Sequence, residues 1–206
     1  MARSFRQKVQ RRRPSRNPRR RILLLCEGER TEPEYFKDLK RYHRTHLLEI
    51  VVDEYHGVPW SLVKKAVKKK KAAASEARRK KDAFLAYDEV WCVFDVDEHP
   101  NLHDARQQAR DNEVFLAISN PCFELWALLH FQEQNAYLTR QEARAKLKGH
   151  LPGYEKKLPA EKLEQSRATA ARRAKSLQAQ HERADREIHE NPSTNVFELT
   201  EKICSD

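Results

Sequence analysis

No apolar run in this chain approaches the roughly 20 residues needed to span a bilayer, which argues against a transmembrane helix. The basic N-terminus is not followed by an apolar segment, so the sequence predicts no secretory signal. The four cysteines, Cys26, Cys92, Cys122 and Cys204, include no C-x-x-C pair. That removes the usual zinc clamps. Cys26 and Cys92 lie inside apolar runs and read as buried thiols. A protein of the reducing cytoplasm is expected. Glycine is scarce, with four residues in 206. One that directly follows an acid, Gly28 after Glu27, therefore marks a tight turn or a close backbone approach. Acidic residues are also in deficit: 31 Asp and Glu stand against 41 Lys and Arg, for a net charge of +10. Such a chain attracts polyanions, nucleic acid or a nucleotide polyphosphate, with an affinity that falls as salt rises.

What is present is an alternating pattern. Residues 1–20 form a basic tail carrying Arg11, Arg12, Arg13, Arg19 and Arg20, with almost nothing apolar to fold around. Strands are predicted over 22–26, 47–52, 90–95 and 114–119, separated by helices. Thr31 and Glu34 have capping-box spacing, as do Thr139 and Glu142. A long helix over 61–84 repeats apolar residues on one side and carries Lys68, Lys69, Lys70 and Lys71 elsewhere. Those lysines read either as a solvated face or as a wall that tracks phosphates. Asn120-Pro121 reads as an N-cap and first-turn proline opening a helix over 122–131. The span 159–188 reads as helical, and 191–194 as the cap of a last helix over 196–203. The order implies an α/β fold: about four strands, mainly parallel, flanked by helices, with further helices at the C-terminus. The expected division is a tail over 1–20, a core over 21–135 and a helical part over 136–206.

Two strand-like runs end in acids. Ile22 to Cys26 is followed by Glu27-Gly28, and Val90 to Phe94 by Asp95-Val96-Asp97. Ligands of parallel sheets bind at the carboxyl ends of strands. Asp95 and Asp97 offer hard oxygens suited to Mg²⁺ or Mn²⁺. Glu27 is suited either to bind metal or to move a proton. Three carboxylates would repel the polyanion that the rest of the chain attracts, and a bound cation resolves the conflict.

The segments Cys26-Glu27-Gly28-Glu29-Arg30-Thr31-Glu32-Pro33-Glu34-Tyr35-Phe36, Val93-Phe94-Asp95-Val96-Asp97, Ser119-Asn120-Pro121-Cys122-Phe123-Glu124-Leu125-Trp126 and Asn191-Pro192-Ser193-Thr194 resemble, in order, motifs of RloB-like proteins. The resemblance spans about 22–203. It implies a Toprim-like fold, with Glu27 as general acid or base and Asp95 and Asp97 as ligands of Mg²⁺. Glu32 follows in the same motif as a further metal ligand or a first-turn helix acid, Glu124 as a metal ligand or a support behind one, and Asn120 as a cap or a support. The implied activity is a nuclease acting on DNA or RNA, tRNA included, in bacterial anti-phage defence by abortive infection, often beside an ATPase. Two alternatives stand against it: a non-catalytic nucleic-acid-binding module, and a phosphatase whose D-x-D supplies a nucleophile.

Overall fold

The computed structural model describes residues 20–44, 48–52, 59–96, 102–186 and 189–204. Its elements run β1 (Ile22–Cys26), α1 (Thr31–Tyr42), β2 (Leu48–Val52), α2 (Pro59–Lys80), β3 (Glu89–Asp95), α3 (Leu102–Asp111), β4 (Phe115–Asn120), α4 (Glu124–Leu129), α5 (Arg140–His150), α6 (Ala160–Glu164), α7 (Arg167–Arg183), β5 (Ser193–Thr194) and α8 (Val196–Cys204). One sheet holds all five strands in the order β2-β1-β3-β4-β5. The first four are parallel, and β5 joins β4 antiparallel.

Both faces of this sheet are covered, which is why its central strands read as unbroken apolar runs. Alternation along each strand divides the side chains between two cores. Ile22, Leu24, Cys26, Trp91 and Val93 face a large core shared with α1, α4 and the C-terminal helices. Leu23, Leu25, Val90, Cys92 and Phe94 face a smaller one built with α2 and α3. The long helix α2 buries Leu62, Val63, Ala66 and Val67 there and turns its lysine-rich faces outward. Among the described residues, no helix is long and apolar enough to cross a membrane.

The structure departs from the sequence expectation in four places. The sheet has five strands rather than about four, because residues 193–194 pair with Ser119 and Asn120 instead of only capping a helix. Asn120 is consequently the last residue of β4, not a helix cap, and α4 begins later, at Glu124. At the start of α1 the cap position falls on Arg30, with no side-chain cap bond, so Thr31 and Glu34 form no capping box. The span 159–188 breaks into α6 and α7. By contrast, Thr139 and Glu142 do form a reciprocal capping box on α5.

Asn195 finishes the sheet. Its side-chain Oδ1 accepts from the Ile118 N–H at 2.6 Å, and its Nδ2 donates to the Leu116 carbonyl at 2.9 Å. Its own N–H donates to the Ile118 carbonyl at 3.1 Å.

Candidate functional site

The chain leaves β1 toward β2 through α1 on one face of the sheet, then returns past β1 to β3 through α2 on the other. At the carboxyl ends of β1 and β3 the connections therefore diverge, and this divergence opens the crevice in which doubly wound sheets bind ligands. Glu27 stands directly after β1, and its backbone N–H extends the ladder by donating to the Val93 carbonyl at 3.0 Å. Asp95 ends β3 and continues the Trp91–Val93 alternation toward the α1 and α4 side. Helices α1 and α4 both start at this end. They contribute Glu32, in the first turn of α1, and Glu124, the first residue of α4. Carboxylates there are favoured by the helix dipole.

The four acids act on one another. Burial pushes the Asp95 carboxyl well above the usual range, and the Glu32 charge adds to the rise. Arg140 pulls against it, while Glu124 and Glu27 raise it further. Burial also raises Glu32, against its own backbone hydrogen bond, and Glu124 reinforces the shift; Arg140 and Lys156 oppose it. Glu124 goes the other way. Burial alone would raise it, but a hydrogen bond with Cys122 and the charge of Arg144 hold it below the ordinary value. Arg144 Nε donates to Glu124 Oε1 at 2.9 Å, and the Tyr154 hydroxyl donates to the same oxygen at 3.1 Å. Arg140 Nη2 lies 3.6 Å from Asp95 Oδ2.

These residues fit a hard divalent cation. Asp95 Oδ1 is buried without a hydrogen-bond partner. Crowded carboxylates whose ionisation is disfavoured are relieved by a cation, and all-oxygen donors suit Mg²⁺ or Mn²⁺. Gly28 takes part directly: a Cβ there would collide with the Glu32 carboxylate. The close approach expected at Gly28 is thus made by an acid of the same site. Gly28→Ala is expected to displace Glu32 and weaken cation binding by roughly 10–100-fold, as loss of a supporting contact does. Calorimetric titration with Mn²⁺ checks this; unchanged affinity would remove Glu32 from the ligand set.

Of the residues singled out in the sequence, the structure brings Glu27, Glu32, Asp95 and Glu124 into one electrostatic cluster. Asp97 lies outside the described residues, as do Arg11, Arg12, Arg13 and Arg19. Asn120 turns away to the C-terminal segment, donating from Nδ2 to the His189 carbonyl at 2.8 Å. Arg20 pairs with Glu89 at 3.4 Å. Lys68 and Lys71 are exposed and Lys69 is half-buried. Lys70 caps the end of α3 through the carbonyls of Asn112 and Glu113.

Sequence reasoning missed Arg140, Arg144, Tyr154 and Lys156. One signal was available. The Thr139–Glu142 capping box fixes Arg140 as the first residue of α5, where the helix dipole disfavours a cation. A side chain placed against its local preference points to a partner elsewhere.

A doubly wound α/β sheet with an acidic cleft at its switch point defines the class of this protein. The chain belongs to the RloB-like protein family, whose model matches residues 22–203. No curated protein and no solved structure matches it.

Proposed function

We propose that this protein is a metal-dependent nuclease that hydrolyses phosphodiester bonds of DNA or RNA. The observation that carries this reading is the convergence of Glu27, Glu32, Asp95 and Glu124 on one crevice of a chain with net charge +10. Acids gathered at a strand-end cleft inside a basic protein suit a cation that mediates between carboxylates and a polyanion. Asp95 and Glu32 would hold Mg²⁺ or Mn²⁺, with Asp97 as the further ligand the D-x-D motif implies. A metal bound there supplies charge stabilisation at the phosphoryl oxygens and a water of lowered pKa.

The chain's own groups do the rest. Glu27 moves the proton, either taking it from the attacking water or giving it to the leaving oxygen. Glu124, fixed by Arg144 and Tyr154, keeps its charge and sustains the negative field that holds the cation. Arg140 stands over Asp95 and is placed to engage a phosphate once a cation has taken the carboxylates. One glutamate after the first strand and an acidic pair after the third support a Toprim-like assignment. We extend the reading, on family resemblance, to a cytoplasmic role in bacterial anti-phage defence, with an ATPase as partner and the basic tail as a nucleic-acid contact.

The test incubates the full chain with plasmid, single-stranded DNA and tRNA in Mg²⁺, Mn²⁺ or EDTA, beside Glu27→Gln. Cleavage is expected only with metal, and Glu27→Gln is expected to slow it by about 10²–10⁴-fold while retaining metal binding. Nucleic-acid binding without cleavage in any metal, unchanged by Glu27→Gln, would replace the nuclease with a binding module.

A further inference from the structure

Away from the acidic cleft, three helices end at one point. His43 follows the last turn of α1, Glu164 ends α6, and Cys204 ends α8. One ligand atom from each lies within 4.8 Å of the other two. His43 Nε2 is 3.2 Å from Glu164 Oε1. Two polar atoms of the cluster, His43 Nε2 and Glu164 Oε2, are buried with no hydrogen-bond partner. Leaving such atoms unsatisfied is costly, so each asks for an occupant.

We propose that His43, Glu164 and Cys204 form a second cation site, one that takes zinc or a similar borderline transition metal rather than magnesium, and that clasps the ends of α1, α6 and α8.

The donor set carries the metal preference. Imidazole, carboxylate and thiolate together suit Zn²⁺, whereas Mg²⁺ takes oxygen and rejects sulfur. Tetrahedral bonds of about 2.0–2.3 Å place ligand atoms about 3.3–3.8 Å apart. The 3.2 Å between His43 Nε2 and Glu164 Oε1 is already close to that range, and Cys204 Sγ lies within 4.8 Å of the other two ligand atoms. Charge also balances: one carboxylate and one thiolate offset the two positive charges of the ion, and the thiol proton passes to solvent. Arg167 is the opposing cation. Its Nε donates to Glu164 Oε1 at 2.7 Å, which makes Arg167 the group that orients this carboxylate, while Oε2 has no hydrogen-bond partner. Burial pushes the Cys204 thiol up to about 12, with Arg167 drawing it down and Glu164 raising it. Three protein ligands leave the fourth position to water.

The missing C-x-x-C pair excludes a local zinc clamp, not a site assembled by the fold from residues distant in sequence, His43 lying more than a hundred positions before Glu164 and Cys204. Glu32 and His43 stand at opposite ends of α1, eleven residues or about 16 Å apart along its axis. The clasp is therefore separate from the acidic cleft and does not rest on the nuclease reading.

The test uses the full chain, stripped with chelator and titrated with Co²⁺ and then Zn²⁺. One equivalent of Co²⁺ is expected to give a thiolate-to-cobalt charge-transfer band that Zn²⁺ abolishes by displacement. The band should vanish in Cys204→Ser, weaken in His43→Gln and persist in Asp95→Asn, which separates this site from the cleft. Zinc at a hundredfold excess over Kd should raise Tm by about 5–10 °C in the wild type and not in Cys204→Ser. No thiolate band, or a band that survives Cys204→Ser, overturns the proposal and leaves an ordinary His43–Glu164 ion pair. If Cys204→Ser does not fold, an undiminished band in His43→Gln overturns it equally.

Discussion

Asp95→Asn is expected to cut metal-dependent cleavage by at least about a thousandfold, roughly 4 kcal/mol of transition-state stabilisation, and at the same time to stabilise the metal-free protein. The two effects have one cause. The Asp95 side chain is only 15% exposed, and burial among Glu32, Glu124 and Glu27 pushes its carboxyl well above the usual range despite Arg140. A carboxyl whose folded pKa exceeds its unfolded value stabilises the fold fully below the unfolded value. That contribution is lost as pH rises through the folded value. Without metal, the wild type should therefore lose stability relative to Asp95→Asn as pH rises out of the ordinary carboxyl range. Near pH 8 the variant should melt higher, by about 2–4 °C for each kcal/mol relieved. Added Mg²⁺ should reverse the order, because only the wild type keeps the ligand. Single-turnover cleavage and melting curves across pH, with and without Mg²⁺, measure this. Parallel pH curves for the two proteins would show that the Asp95 charge is not confined as described.

Arg140→Ala should move binding and turnover in opposite directions. Arg140 lies 3.6 Å from Asp95 and opposes the upward shifts of both Asp95 and Glu32. In the metal-free protein it is the cation that faces Asp95. Removing it should tighten Mn²⁺ binding by about tenfold, since a like charge leaves the ion's surroundings. It should also slow cleavage by about a hundredfold, since a donor to the phosphate is lost. The metal-free fold should weaken, because Asp95 keeps its burial and loses its counter-charge. Calorimetry and single-turnover rates on the same preparation decide it. Weaker metal binding by Arg140→Ala would mean that the arginine holds the carboxylates in place for the ion rather than competing with it.

The sequence exposed the parts of this site that lie next to strands. Apolar runs buried on both faces announce β1 and β3, and an acid at the end of such a run is conspicuous, so Glu27 and Asp95 could be read directly. Glu32 and Glu124 were harder, because an acid in the first helical turn has an adequate local reason to be there. Only the fold shows that α1 and α4 start at the same crevice. Arg140, Arg144 and Tyr154 come from more than a hundred residues beyond Glu27, and nothing local to them signals which carboxylate they meet. The fifth strand escaped for a similar reason. Two residues carry no periodicity, and Asn191 to Thr194 looks like turn chemistry until β4 is placed beside it. Asn120 was misread because Asn-Pro before an apolar helix is a common cap signal, whereas here the ladder with Ser193 holds it in the sheet.

Asn195 has a consequence for how this protein behaves among its own copies. Strand β5 covers only the last two residues of β4, so among the described residues most of that outer margin has no neighbouring strand. Bare margins of this kind recruit other chains and seed aggregation. Here one asparagine imitates a strand: its amide and its backbone N–H engage Leu116 and Ile118 at the positions a sixth strand would use. A side chain of one residue thus shields the margin from intermolecular β-pairing, and a substitution that leaves the fold standing can still open that margin to self-association.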